Sequence, residues 1–206
     1  MADFDARALN WRFVVPDEPA GLLLLPADGE TVAGATVVPA SAHGLAETLA
    51  RGPFPAVVAP DMGGWAVRTG FRTSELLERL GRQVVPGGWI FAGFANPWYV
   101  GRWLRRGSLR RRRAMAALRR AGLAGEAYLT FPSEQCPAYI VPASGRAELD
   151  YLLRRLFVPH TGEPTGFGTR VKRRLLMVMR AVALRAPHRA RVAFCPGLAV
   201  VARRPG

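Results

Sequence analysis

Lysine is almost absent from this chain. Of its 29 basic residues only Lys172 is a lysine, and the rest are arginine. Together with abundant Ala, Gly, Pro and Val, this usage looks like coding from a GC-rich genome, so some arginines stand where another sequence would place lysine. The excess over 15 acids still leaves a net charge of +14. Such a charge favours an acidic partner: a peptide, a phosphate-bearing ligand or nucleic acid. No nucleic-acid recognition motif accompanies it, so nucleic acid is not expected.

Cysteine and histidine are scarce too. Cys136 and Cys195 are too few for a disulfide framework or a zinc cluster. His43, His160 and His188 lie far apart and form no i, i+4 pair, so no metal site is expected. Long apolar runs are missing: none approaches the ~18 residues that a spanning helix needs, so no membrane span is expected. Met1 to Asn10 carries Asp3, Asp5 and Arg7 and does not read as a signal peptide, which makes the cytoplasm the default location. What the chain does have is apolar content. Half of its 206 residues are hydrophobic, enough for the core of one domain spanning 1–206.

The apolar residues come in short runs bounded by turn residues, the pattern of buried parallel strands. Residues 21–25, 35–39, 55–61, 89–94, 126–131 and 198–203 read this way. Helices are expected over 42–51 with Ser41 as N-cap, from Thr73 or Ser74 to about Val85, over 108–121 ending at Gly122, over 147–157 and over 170–185. Pro86-Gly87-Gly88 is expected to stop the second of these, and 159–169 is a Gly/Pro-rich loop. Strands alternating with helices imply a mostly parallel sheet.

From Phe54 onward the order resembles the second half of a class I methyltransferase. Phe54 to Asp61 resembles that family's fourth strand. Leu76 to Leu80, then Val85-Pro86-Gly87-Gly88-Trp89, resembles the helix and turn entering the fifth. Leu118 to Leu123, then Glu126 to Phe131, resembles the helix end before the sixth strand, and Leu198 to Arg203 the antiparallel seventh. Tyr128 to Ser133 resembles methyltransferases of bacterial secondary-metabolite and glycan pathways. The resemblance implies a truncated Rossmann-like α/β fold: a mostly parallel sheet, an antiparallel last strand and helices on both faces. It also implies S-adenosylmethionine, yet the first third departs from the family there. A glycine loop should follow the first strand, where glycines let the backbone approach the cofactor and a helix N-terminus offers free amides. The chain instead reads Pro26-Ala27-Asp28-Gly29-Glu30, and Pro26 removes an amide donor. Pro39-Ala40-Ser41 stands where the family places an acid for the ribose, and the third strand with its helix is shortened or absent. No cofactor is therefore expected.

Candidate site residues cluster behind the strands. Asp61 is a general base or the cap of the next turn. Asn96, Pro97, Trp98, Tyr99 and Trp103 follow the fifth family strand, where open α/β sheets bind ligands, and either line a pocket or cap the core. Glu134 and Cys136, with His160, suggest nucleophilic or acid/base work; a buried inert cysteine is the plainer reading. Arg102, Arg105, Arg106, Arg110, Arg111, Arg112, Arg113, Arg119 and Arg120 either grip an acidic peptide or phosphate or form a solvated helix face. A second basic helix, from Arg170 to Arg185, carries Leu175, Leu176, Met179 and Val182, which pack in the core or, less simply, meet a membrane surface. Three functions stay open. One is a non-catalytic or regulatory subunit binding a partner protein or acidic peptide in a bacterial biosynthetic pathway. Another is a methyl-donor-independent enzyme, such as a cyclase, using Asp61, Tyr99, Glu134, Cys136 and His160. The third is a methyltransferase with an atypical cofactor site. Apolar surface bared by the missing helix makes a homodimer the simplest cover.

Overall fold

The computed structural model describes residues 11–17, 19–27, 32–99, 108–156, 174, 177–178 and 180–206. Seven strands form one sheet in the order β2–β1–β3–β4–β7–β5–β6. They are β1 (Leu23–Leu24), β2 (Thr36–Val37), β3 (Phe54–Ala59), β4 (Val84–Ala95), β5 (Ala124–Phe131), β6 (Tyr139–Pro142) and β7 (Gly197–Arg203). The first four pair in parallel. β7 inserts antiparallel between β4 and β5, as the resemblance implies for the last strand. The fold is a mixed α/β, Rossmann-like sheet.

The helices are α1 (Ala42–Leu49), α2 (Met62–Thr69), α3 (Thr73–Arg82), α4 (Arg111–Arg120) and α5 (Arg146–Leu156). Strand alternation sorts the core. Leu23, Val57, Ala59, Ile90, Ala92, Phe94, Val200 and Ala202 meet Leu45, Met62, Trp65, Leu76, Leu77, Leu80, Ala117 and Leu118 of α1 to α4. Leu129 and Leu198 continue that face beneath Leu149, Leu152 and Leu153 of α5. On the opposite face, Leu24, Ala56, Val58, Trp89, Phe91 and Ala199 pack with Trp11. The Trp11 ring lies 6.3 Å from both Trp89 and Phe91. The N-terminal segment 11–17, rather than a described α-helix, thus covers that face.

Several local expectations need correction. Neither Thr73 nor Ser74 caps α3; both lie inside it, and Arg72 holds the cap position without a side-chain bond. The helix also stops before Pro86-Gly87-Gly88, which lies within β4. Gly87 supplies a left-handed φ of 76° there, so the triplet shapes a strand entry rather than a helix end. The pattern predicts neither β6, which has four residues, nor α2, whose first turn carries the poor helix formers Gly63 and Gly64. Other signals hold. The Ser41 hydroxyl accepts from the Gly44 amide at 2.9 Å. Gly122, at φ 79°, ends α4 while Leu123 N–H returns to the Leu118 carbonyl at 2.9 Å.

Arg204 ties the end of the sheet to two helices. Its guanidinium donates to the carbonyls of Gly81 at 3.0 Å and Ala121 at 2.9 Å. A cation at two helix C-termini also complements both dipoles. Arg204→Met keeps the stem and removes the donors, and is expected to lower unfolding free energy by about 1–3 kcal/mol in urea titration.

Candidate functional site

In an open α/β sheet the ligand crevice lies beyond the carboxyl ends of the strands, where the strand order reverses. Here that point falls between β1 and β3. Close to it, the fully buried side chain of Trp65 donates through Nε1 to the Pro26 carbonyl at 3.0 Å, just after β1. Asp61 caps α2 by accepting from the Gly64 amide at 2.9 Å. Arg68 stacks on the Trp65 ring at 4.9 Å and approaches Asp61 at 3.8 Å. Ser41 is occupied as the cap of α1. Of the expected cofactor-turn residues, Asp28, Gly29 and Glu30 lie outside the described residues.

Further along the same rim is a cleft of about 440 Å³. Leu129, Ala143, Val192 and Leu198 give it an apolar floor; Trp98, Arg111, Arg112, Arg146 and His188 give it a cationic and aromatic rim. The volume falls in the range of small-molecule and side-chain pockets. Its electrostatics are one-sided. Arg110 occupies the N-cap of α4 without a side-chain cap, and the first turn contains no acid. Three arginines, Arg111 to Arg113, thus crowd the positive end of a helix dipole, where an anion would be favoured. Among the described residues, Arg110, Arg111, Arg112, Arg113 and Arg146 take part in no ion pair with a carboxylate. Arg110 instead stacks over Trp98 at 5.3 Å, and that indole is 61% exposed.

A larger groove of about 810 Å³ between α1 and α3 differs in this respect. There Arg79 pairs with Glu75 at 3.0 Å, while Arg82 at 2.6 Å and Arg120 at 2.8 Å both pair with Glu78. The hydrogen bond from Arg120 holds the Glu78 carboxyl below its ordinary value. Two carboxylates thus answer three of the four arginines that line this groove, Arg72 being the fourth, whereas among the described residues no carboxylate lines the basic cleft.

Asn96 builds the wall of the basic cleft. It is 3% exposed. Its amide donates to the carbonyls of Val192 at 2.8 Å and Cys195 at 2.7 Å, and its side-chain oxygen accepts from the Trp98 amide at 3.1 Å. One side chain therefore clamps the loop after β4 to the turn before β7. Tyr99 is half-buried behind it, its amide donating to the Asn96 carbonyl at 3.3 Å.

The remaining described candidates lie outside the cleft, and the backbones of Glu134 and of Pro60, next to Asp61, both approach Gly93. Glu134 is buried and Cys136 half-buried in the loop after β5. That loop crosses the sheet at Gly197, where a Cβ would meet the Glu134 amide nitrogen at 2.7 Å. His160, Arg102, Trp103, Arg105 and Arg106 lie outside the described residues. Of the expected binding residues, Asn96 and Trp98 line the cleft and Arg110 stacks on Trp98 at its rim. Arg113, from the same turn, lines a separate surface groove. Arg146, Ser144 and His188 also line the cleft, and no sequence spacing ties them to residue 96. Burial pushes the Cys195 thiol up to about 12, so it is unreactive in the folded chain. Iodoacetamide labelling of Cys195 is expected only after denaturant unfolds the protein; labelling under native conditions would refute its enclosure.

The chain is thus a Rossmann-like α/β protein with an aromatic and arginine-lined cleft on its carboxyl-end rim. No protein-family model and no curated protein matches it. Among solved structures it is similar to the [4+2]-Cyclase SpnF, with 13% identity and a TM-score of 0.32 over 74% of this chain and 50% of that one. The chain spans about half the length of that structure.

Proposed function

We propose that this protein is a methyltransferase-like, non-catalytic binding protein that takes an acidic segment of a partner protein or peptide into the cleft between Trp98 and α4. The observation that carries this reading is the charge imbalance of the cleft. Three lining arginines, a helix N-terminus and a stacked Arg110–Trp98 pair surround an apolar floor, and no carboxylate answers them among the described residues. A segment with a carboxylate beside an apolar side chain satisfies both parts: the carboxylate meets the guanidinium forks and the apolar group covers Leu129 and Leu198. S-adenosylmethionine has no part in this reading. The hydrogen bond from Trp65 to the Pro26 carbonyl, at the turn where a glycine loop would stand, supports leaving it out.

Anisotropy with a fluorescent peptide alternating glutamate and leucine tests the proposal. Arg111→Ala with Arg112→Ala and Arg146→Ala is expected to weaken binding by about 2–4 kcal/mol and to flatten its salt dependence. Equal affinity of this triple variant and the native chain would remove the proposal. So would titration calorimetry that shows stoichiometric S-adenosylmethionine binding to the native chain.

A further inference from the structure

Behind α5, the described helical residues 180–185, together with Arg174, Met177 and Val178, carry an outward face; Val182, expected first in the core, lies on it, and Leu175, Leu176 and Met179 lie outside the described residues. Met177 is 56% exposed, Val178 59% and Val182 55%. Arg174, Ala181 and Arg185 are exposed as well. At 3.6 residues per turn these six positions fall within an arc of about 140°. Ala183, fully buried against α5 and β5, falls on the opposite side. The stripe is therefore a defined face, with Met177, Val178, Ala181 and Val182 in its middle and an arginine near each end. The two arginines stand about 16 Å apart along the axis.

A solvated helix face is normally polar, so a contiguous aliphatic one calls for a cover. A second copy is a poor one. Antiparallel pairing of two stripes sets Arg174 against the partner copy's Arg185, and parallel pairing sets each arginine against itself; both arrangements repel. The cover must be anionic at the ends and apolar between. The stripe is also convex, with no described groove to seat a partner helix, whereas a bilayer interface accepts a convex face lying in its plane. Exposed Arg154 and Arg155 on α5 and the net charge of +14 strengthen attraction to an anionic surface.

We infer that Arg174, Met177, Val178, Val182 and Arg185 form a docking face for an anionic lipid surface. The aliphatic side chains enter the headgroup boundary and the arginines meet lipid phosphates and carboxylates. This inference is independent of the peptide reading of the cleft.

Vesicle flotation of the full chain tests it, using phosphatidylcholine with one part in four of phosphatidylserine against phosphatidylcholine alone. The native chain is expected to float with the anionic vesicles only. Met177→Ser, Val178→Ser and Val182→Ser combined should lower the bound fraction about tenfold, since each loses buried apolar surface. Arg174→Glu with Arg185→Glu should lower it similarly. The Arg111, Arg112 and Arg146 alanine variant should retain at least half of the native binding, which separates this face from the cleft. All these substitutions are exposed, and an unchanged thermal midpoint checks folding. The inference is overturned if the native chain leaves anionic vesicles unbound, if the serine variant binds as the native chain does, or if only the cleft variant loses binding. It is also overturned if the stripe captures an acidic amphipathic peptide while anionic vesicles stay bare.

Discussion

Trp65→Ala should cost about 3–5 kcal/mol of stability, the largest effect expected of a single change in this chain. The indole is fully buried in the core that α1 to α4 form on the sheet, and it ties α2 to Pro26, just beyond β1 and Leu25. Truncation removes the apolar contacts, opens a cavity and leaves the Pro26 carbonyl without its 3.0 Å partner. Arg68 also loses the ring on which it stacks. Trp65→Phe separates the contributions: it keeps most of the volume, gives up the hydrogen bond and should cost only about 1–2 kcal/mol. Urea unfolding with both variants checks this. A loss below about 1 kcal/mol for Trp65→Ala would mean that the indole does not support the strand ends.

Asn96→Ala ranks second, at about 2–4 kcal/mol. The cost arises from desolvated partners rather than lost volume. The carbonyls of Val192 and Cys195 would face a methyl group, and the Trp98 amide would lose its acceptor. Asn96→Asp should not rescue. A carboxylate still accepts from Trp98, but it cannot donate to two carbonyl oxygens, and burial at 3% exposure penalises its charge. Affinity for the acidic peptide should fall in both variants, because Trp98 and the Val192 wall lose their common anchor. Stability and peptide affinity measured together check this; an unchanged affinity at lowered stability would detach the clamp from the site.

Much of the frame was legible from residue order. Strands bounded by proline and glycine appear where the apolar runs lie, because a run with turn residues at both ends has few other ways to bury itself. The Ser41 cap and the Gly122 stop were readable because each is a local bond with a fixed residue preference. The helix end near Pro86-Gly87-Gly88 was misplaced because β4 begins at Val84, and pairing of Val84 with Phe54 overrides the local breaker. The cleft was legible only on one side. Trp98 and the arginines after it form a dense local signal, while Arg146 and His188 reach the same cavity from distant chain positions.

Asn96 marks the division most clearly. Its place after a buried strand fixed it on the carboxyl-end rim, since strand direction follows from chain order. Its role as a clamp came from the antiparallel insertion of β7, which carries Val192 and Cys195 to within hydrogen-bond reach across nearly a hundred residues. The sequence by itself determined the charge, six of the seven strands, four of the five helices α1 to α5 and the arginine-rich turn, because these rest on composition and short-range preference. Tertiary structure alone decided that Trp65 bonds to Pro26, that Arg82 and Arg120 share Glu78 and that Arg111, Arg112 and Arg146 line a cleft with no carboxylate among the described residues. Those outcomes depend on which distant side chains share a space, and no local pattern encodes that.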